Sequence, residues 1–285
     1  MKKIQIAPAY SADYLEVNRP QPLSSNALIK EISSMLAGNI DQSVNNDIYL
    51  QFKDECTSWI LGSKLNNIIG LSKLQNIDII IGCTQFIDNT YMLGPVQTLK
   101  DDYRYHERLQ LSTVVSPGNI IPNIPLIIAM PFPSIGAEHP DMMSILNECY
   151  RKNVKVFIDA AWYTCCKDIS FDISHPAIDS IGISLSKGLG LGWNRVGLRF
   201  SKNKKNDAIS IMNNFDMNNK VLVKIGLHFI RKFPSDYLWN HHQLRYEKVC
   251  RDFNLTPTKS NYLALLNGQP VGVSPLIRYL ENEDV

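Results

Sequence analysis

Four short apolar runs through the middle of the chain constrain the fold more than any other feature. They are "IDIII" at 77–81, "IPLIIAM" at 124–130, "VKVFID" at 154–159 and "SIGIS" at 180–184. The first two are nearly continuous in hydrophobicity rather than alternating. Such a run suits a strand buried on both faces, as in a parallel sheet covered by helices. Amphipathic stretches lie between the runs. After the Gly82, Cys83 and Thr84 turn a helix is expected, with Phe86, Ile87, Tyr91 and Met92 on its buried face. "HPDMMSILNECYRK" at 139–152 reads as a helix with Pro140 at its start. Strands alternating with helices over 77–200 predict an α/β fold with a mostly parallel sheet flanked by helices. A further strand, "RVGLRFS", closes that region at 195–201.

The flanks read differently. Residues 1–30 are irregular, broken by Pro20 and Pro22. Over 47–75, Ile48, Phe52, Trp59, Ile60, Leu65, Ile68 and Ile69 recur at helical spacing. A strand is expected over 109–115, before a loop with Pro117, Gly118 and Pro122. After Lys205 the pattern predicts helices over 206–230 and 234–253, then one strand at "NYLALLN" and one helix at "SPLIRYLENEDV". A chain of 285 residues fits a large domain with a small α+β lobe built from both ends. The expected division is 1–45 as an N-terminal segment, 46–230 as the large domain and 231–285 as a short C-terminal lobe.

Charge and cysteine usage exclude several classes of function. The net charge is only +2, and the densest basic cluster, Lys202, Lys204 and Lys205, reads as a solvated turn. Nucleic-acid binding therefore has no electrostatic basis. The cysteines at 56, 83, 149, 165, 166 and 250 form no C-x-x-C pair, so a reduced, cytoplasmic protein without a structural zinc is expected. The N-terminal lysines precede no apolar run, so neither a signal peptide nor a membrane span is expected.

The stretch "GISLSKGLGLGWNRVGLRF", from Gly182 to Phe200, is the candidate site. A phosphate loop places its lysine after the glycines, whereas Lys187 precedes Gly188, Gly190 and Gly192. A dinucleotide fingerprint needs G-x-G-x-x-G leading into a helix, whereas here the spacing is G-x-G-x-G and a strand follows. Two readings remain. One is an exposed lysine in a turn. The other is a Schiff-base lysine at a strand end, with a nearby anion site made from Ser184, Ser186 and Arg195. Asp159 ends the strand "VKVFID", where ligands bind at the edge of an α/β sheet. A carboxylate there would keep a pyridine nitrogen protonated, which favours the second reading.

Residues 154–200 resemble the fold-type I pyridoxal-phosphate enzymes, in particular the class I/II aminotransferase family. "FIDAAW" resembles the family's D-x-[AG]-[YW] strand end. "SLSKGLGLGWNRVG" resembles its S-x-S-K, glycine loop and R-[VI]-G signature, with the arginine eight positions after the lysine. "IIIGCTQFID" resembles the turn that binds the cofactor phosphate. The resemblance extends, more loosely, over roughly 45–285. It implies that pyridoxal 5'-phosphate is bound through Lys187, with Asp159 on the ring nitrogen. Trp162 falls where a tyrosine commonly donates to the ring hydroxyl. Gly82, Cys83, Thr84, Ser184, Ser186 and Arg195 match the phosphate contacts. Tyr103 matches the aromatic that stacks on the ring, with Tyr105 as its rival. Tyr49 is read as a packing residue, although a tyrosine in relatives reaches a partner subunit's phosphate.

Two departures from the family stand out. "MPFPSIG" lies where the family has P-x-N-P-T-G, so Pro133 replaces an asparagine that hydrogen-bonds the ring hydroxyl. The family's arginine for the substrate α-carboxylate has no counterpart after "RYLENEDV", and Arg278 reads as a surface residue of a helix. Arg19 and Arg104 are the alternatives for that role, and an unusual amine or amino acid is the expected substrate. The resemblance implies an aminotransferase that works as a homodimer on an amino acid or amine. The alternatives are a lyase, racemase, cyclase or substitution enzyme with the same cofactor, and a non-catalytic binding module.

Overall fold

In the computed structural model the apolar runs become strands of one sheet. The structure describes residues 10–17, 21, 23–38, 47–108 and 112–283. Its helices are α1 (Asn26–Ala37), α2 (Ile48–Leu61), α3 (Gly82–Tyr91), α4 (Arg104–Arg108), α5 (Met142–Arg151), α6 (Leu185–Gly188), α7 (Ala208–Asn214), α8 (Lys220–Lys232), α9 (Tyr237–Asp252) and α10 (Ser274–Glu283). The strands are β1 (Asn67–Ile69), β2 (Asn76–Ile80), β3 (Val96–Leu99), β4 (Ser112–Val115), β5 (Leu126–Ala129), β6 (Val156–Asp159), β7 (Ser170–Asp172), β8 (Ile178–Ser184), β9 (Gly197–Ser201), β10 (Thr256–Pro257), β11 (Leu263–Leu266) and β12 (Gln269–Gly272).

The main sheet has the order β2-β9-β8-β6-β5-β3-β4. β8, β6, β5, β3 and β4 are parallel, and β9 runs antiparallel to both β2 and β8. The expected α/β class and mostly parallel sheet are therefore what the chain forms. β3, β5, β6 and β8 are buried along their whole length, which is why their sequences do not alternate.

Several local expectations need correction. Among the described residues the run at 77–81 is an edge strand paired with β9 alone, antiparallel, and Asn76, Ile77 and Asp78 are only partly buried. Asp78 within it faces Arg199 of β9, which is 2% exposed and also pairs with Asp207. The helix expected over 47–75 ends at Leu61, before Gly62, and Asn67–Ile69 forms a short strand against β7. The helix expected over 206–230 is two, α7 and α8. Asp207 and Asn219 each cap one of them by accepting a backbone N–H, from Ser210 and Leu222. The C-terminal strand is the middle of an antiparallel sheet, β10-β11-β12. Its β11–β12 turn is Asn267-Gly268, both at positive φ (51° and 78°), the left-handed pair that a tight hairpin requires. Arg278 is buried on α10, with Glu16 and Glu281 as carboxylate neighbours, so it is not a surface residue.

Candidate active site

The strand ends gather the candidate residues. Gly82 follows β2, Tyr103 follows β3, Asp159 ends β6, and Ser184 ends β8. Because β9 is antiparallel, its start lies at the same edge: Gly197 is level with both Ile80 and Ser184. Asp159 is level with Gly182 and Ala129. Arg195, just before β9, thus meets the turns that follow β2 and β8. This is the carboxyl edge of an α/β sheet, where such folds bind ligands.

One side of the edge is a cradle of donors. Gly82 opens α3 with φ of 66°, a conformation that L side chains rarely adopt. A β-carbon there would lie 3.1 Å from Arg195 Nη2 and 3.3 Å from Ser184 Oγ. Arg195 Nη2 donates to Thr84 Oγ1 at 2.5 Å. The Ser184 hydroxyl donates to Ser186 Oγ at 2.9 Å and accepts the Ser186 N–H at 3.1 Å, which caps α6. Hydroxyls, a guanidinium and the N-terminus of a ten-residue helix converge on one space. That combination favours an anion. Cys83 contributes differently: its buried thiol donates to the Gly182 carbonyl at 3.3 Å, and burial together with Asp159 pushes its pKa up.

The other side is a buried carboxylate–imidazole–carboxylate row that the sequence reading missed. His106 on α4 is fully buried, with Nε2 3.4 Å from Asp159 Oδ2 and Nδ1 3.5 Å from Asp102 Oδ2. Burial opposes a charged ring there, but Asp102 and Asp159 outweigh it and push His106 up to about 9. Asp102 is itself anchored, accepting the backbone N–H groups of Tyr103 at 2.6 Å and Ala129 at 3.2 Å. Asp159 Oδ1 accepts the Ala161 N–H at 3.0 Å. A signal for this row was present in "DDYRYHE": Asp102 and His106 are four residues apart, one helical turn, directly after a strand.

Lys187 lies not in the loop itself but in the short helical turn α6. That turn is pressed against residues 163–165, since a β-carbon on Gly188 would lie 2.1 Å from Thr164 Oγ1. Trp162, half-buried, starts the same 163–165 turn. Tyr103 is 39% exposed, and its ring meets His106 edge-on at 5.5 Å. Its rival Tyr105 donates to Asp88 at 2.8 Å, so its hydroxyl is engaged on α3. Tyr49 donates to the Asn218 carbonyl at 2.7 Å and is buried, in keeping with packing. Arg104 is exposed at the start of α4, and Arg19 lies outside the described residues.

These residues fit pyridoxal phosphate. The donor cradle matches a phosphate dianion, and Asp159 is a carboxylate braced by a histidine that carries positive charge. Lys187 stands in the turn directly after the strand that joins cradle and carboxylate.

No protein-family model matches the chain, and no curated protein matches it. Solved structures do match. An alanine aminotransferase from Pyrococcus furiosus superposes with a TM-score of 0.62 at 12% identity, over 88% of this chain and 76% of that one. An aspartate aminotransferase from Thermotoga maritima gives 0.61 at 11%, over 94% and 91%. An aminotransferase from Staphylococcus aureus gives 0.59 at 13%, over 94% and 90%. At such identities the likeness establishes the fold: this chain has the aminotransferase fold of type I.

Proposed function

We propose that the chain is a pyridoxal-phosphate enzyme acting on an amino acid or amine, with transamination as its reaction. The observation that supports this most is the gathering of Lys187, Asp159 and the Gly82–Arg195 donor cradle at one sheet edge. When bound, the cofactor supplies an electron-poor ring that draws electrons from a substrate's Cα. Thr84, Ser184, Ser186, Arg195 and the backbone at Gly82 and Cys83 would hold its phosphate. Asp159 would keep the ring nitrogen protonated, and His106, with Nε2 3.4 Å from Asp159 Oδ2, would hold it in place. Trp162 would donate its indole N–H to the ring oxygen, and Tyr103 would cover the ring face. Lys187 Nζ would link the chain to the aldehyde carbon. When free, Nζ would be the base that takes the substrate's Cα proton and the acid that delivers it to the former aldehyde carbon, the shift that transamination requires.

Residues 46–230 would form the cofactor-binding unit, and the two ends of the chain a smaller lobe. A homodimer is part of the reading. Tyr103, 39% exposed, and Trp193, 93% exposed and two residues before Arg195 in sequence, are surfaces that a second copy would cover. Among the described residues no helix is long and apolar enough to cross a membrane, and a cytoplasmic location is proposed. The test is direct. Purified protein mixed with pyridoxal phosphate should become yellow, and borohydride should fix the cofactor on the Lys187 peptide. Lys187→Ala should stay folded and lose the borohydride-fixed link. A wild-type protein that gains no colour refutes the proposal. A screen of amino acids for spectral change then identifies the substrate, and sedimentation reads the assembly.

A further inference from the structure

Tyr262 is fully buried, yet its hydroxyl has no hydrogen-bond partner among the described residues. Leaving such a group unsatisfied costs on the order of 1–3 kcal/mol, so folded proteins rarely do so without a reason. Phenylalanine would fill the same volume without that cost.

The backbone holds Tyr262 firmly. The Asn261 N–H donates to the Cys165 carbonyl at 3.2 Å, and the Asn261 side chain donates to the Leu238 carbonyl at 3.1 Å. The Val273 N–H donates to the Tyr262 carbonyl at 3.0 Å, and Ser260 bridges to Cys166. The residue is thereby strapped to the 163–166 turn, the one against which the Lys187 turn is pressed. Its ring meets Trp162 edge-on at 4.6 Å. Burial first, then Cys165, Cys166, Tyr103 and Asp159, push the phenol well above its ordinary range. The hydroxyl therefore keeps its proton and is available as a donor. Pro133, across the edge after β5, has no side-chain donor of its own.

The geometry points to Tyr262 as a cofactor-binding residue whose hydroxyl donates a hydrogen bond to the ring oxygen of bound pyridoxal phosphate, beside Trp162. This inference rests on the pyridoxal-phosphate reading above and adds to it a residue from the turn that leads into β11.

The experiment compares the full-length wild type with Tyr262→Phe, using pyridoxal phosphate and its analogue lacking the ring oxygen, 3-deoxypyridoxal phosphate. Three readouts are used: the dissociation constant from tryptophan quenching, the pH midpoint of the visible absorption, and urea unfolding of the cofactor-free proteins. A donor to a charged oxygen is worth about tenfold to a hundredfold in affinity. Tyr262→Phe should weaken pyridoxal phosphate by that factor and move the absorption midpoint to higher pH, because the ring oxygen then keeps its proton longer. The two proteins should bind the 3-deoxy analogue equally. The cofactor-free variant should be at least as stable as the wild type, since an unsatisfied group is removed. Equal affinity for pyridoxal phosphate, or an equal loss with both ligands, overturns the role of Tyr262 and leaves the wider reading standing. Absence of colour in both proteins overturns both.

Discussion

Deprotonating His106 should weaken the fold in a pH window set by its two carboxylates. Its pKa is 6.5 in an ordinary environment and about 9 here. The folded state therefore binds the proton more tightly than the unfolded chain. Below pH 6.5 both states carry it, and the stabilisation is fully present. As pH rises from there the unfolded chain loses the proton first, and above about 9 the stabilisation is gone. At about 1.4 kcal/mol per pH unit, the shift amounts to about 3 kcal/mol. The side chain is fully buried, so solvent screening takes little from that figure. The assay is urea unfolding of the cofactor-free protein at pH 6 and pH 10, beside His106→Gln. Glutamine keeps a donor between the carboxylates but cannot titrate. The wild type should lose about 3 kcal/mol more than the variant across that interval. If both proteins lose the same amount, the ring is not charged in the fold. The electrostatic brace on Asp159 would then be wrong.

Other outcomes follow from the same geometry. Asp159→Asn should leave the cofactor bound but slow Cα proton exchange by orders of magnitude, read by deuterium uptake into the substrate, because an uncharged ring nitrogen withdraws few electrons. Arg195→Ala should instead weaken cofactor binding by about 1.5–3 kcal/mol, measured by equilibrium titration. Identical effects from the two would contradict the division of roles. Arg199→Met strands Asp78 and Asp207 together, and should destabilise by roughly 3–5 kcal/mol at neutral pH in urea unfolding. Much of that loss should be recovered in acid, where the two carboxylates become neutral. Gly197→Ala should unfold at clearly lower urea than wild type, since its β-carbon would lie 2.2 Å from the Ile183 carbonyl oxygen, a backbone atom that cannot move aside.

How far the sequence determined this protein is clearest strand by strand. The continuous apolar run at 124–130 announced a strand buried on both faces, because burial on two sides leaves no polar alternation. The order of Lys187, its glycines and Arg195 narrowed the chemistry, because catalytic groups spaced by a strand and a turn leave a local pattern. The hairpin at Asn267-Gly268 was equally local, and its positive-φ pair was open to reading although only one strand was expected there. Contacts between distant segments left no such trace. That 77–81 is an edge strand depends on β9 running antiparallel beside it, 121 residues on from Asp78 to Arg199. Arg278 resembled a surface residue because helical position alone does not reveal that the N-terminal segment, through Glu16, packs over it. The charge on His106 exists only where Asp102, in the turn after β3, and Asp159, at the end of β6, close on one imidazole. The exposed hydroxyl of a tyrosine in an extended chain becomes the buried donor of Tyr262 only when β11 is strapped to the turn after β6. Periodicity records which face of an element is buried, whereas electrostatics and unmet hydrogen bonds depend on what the fold brings from elsewhere.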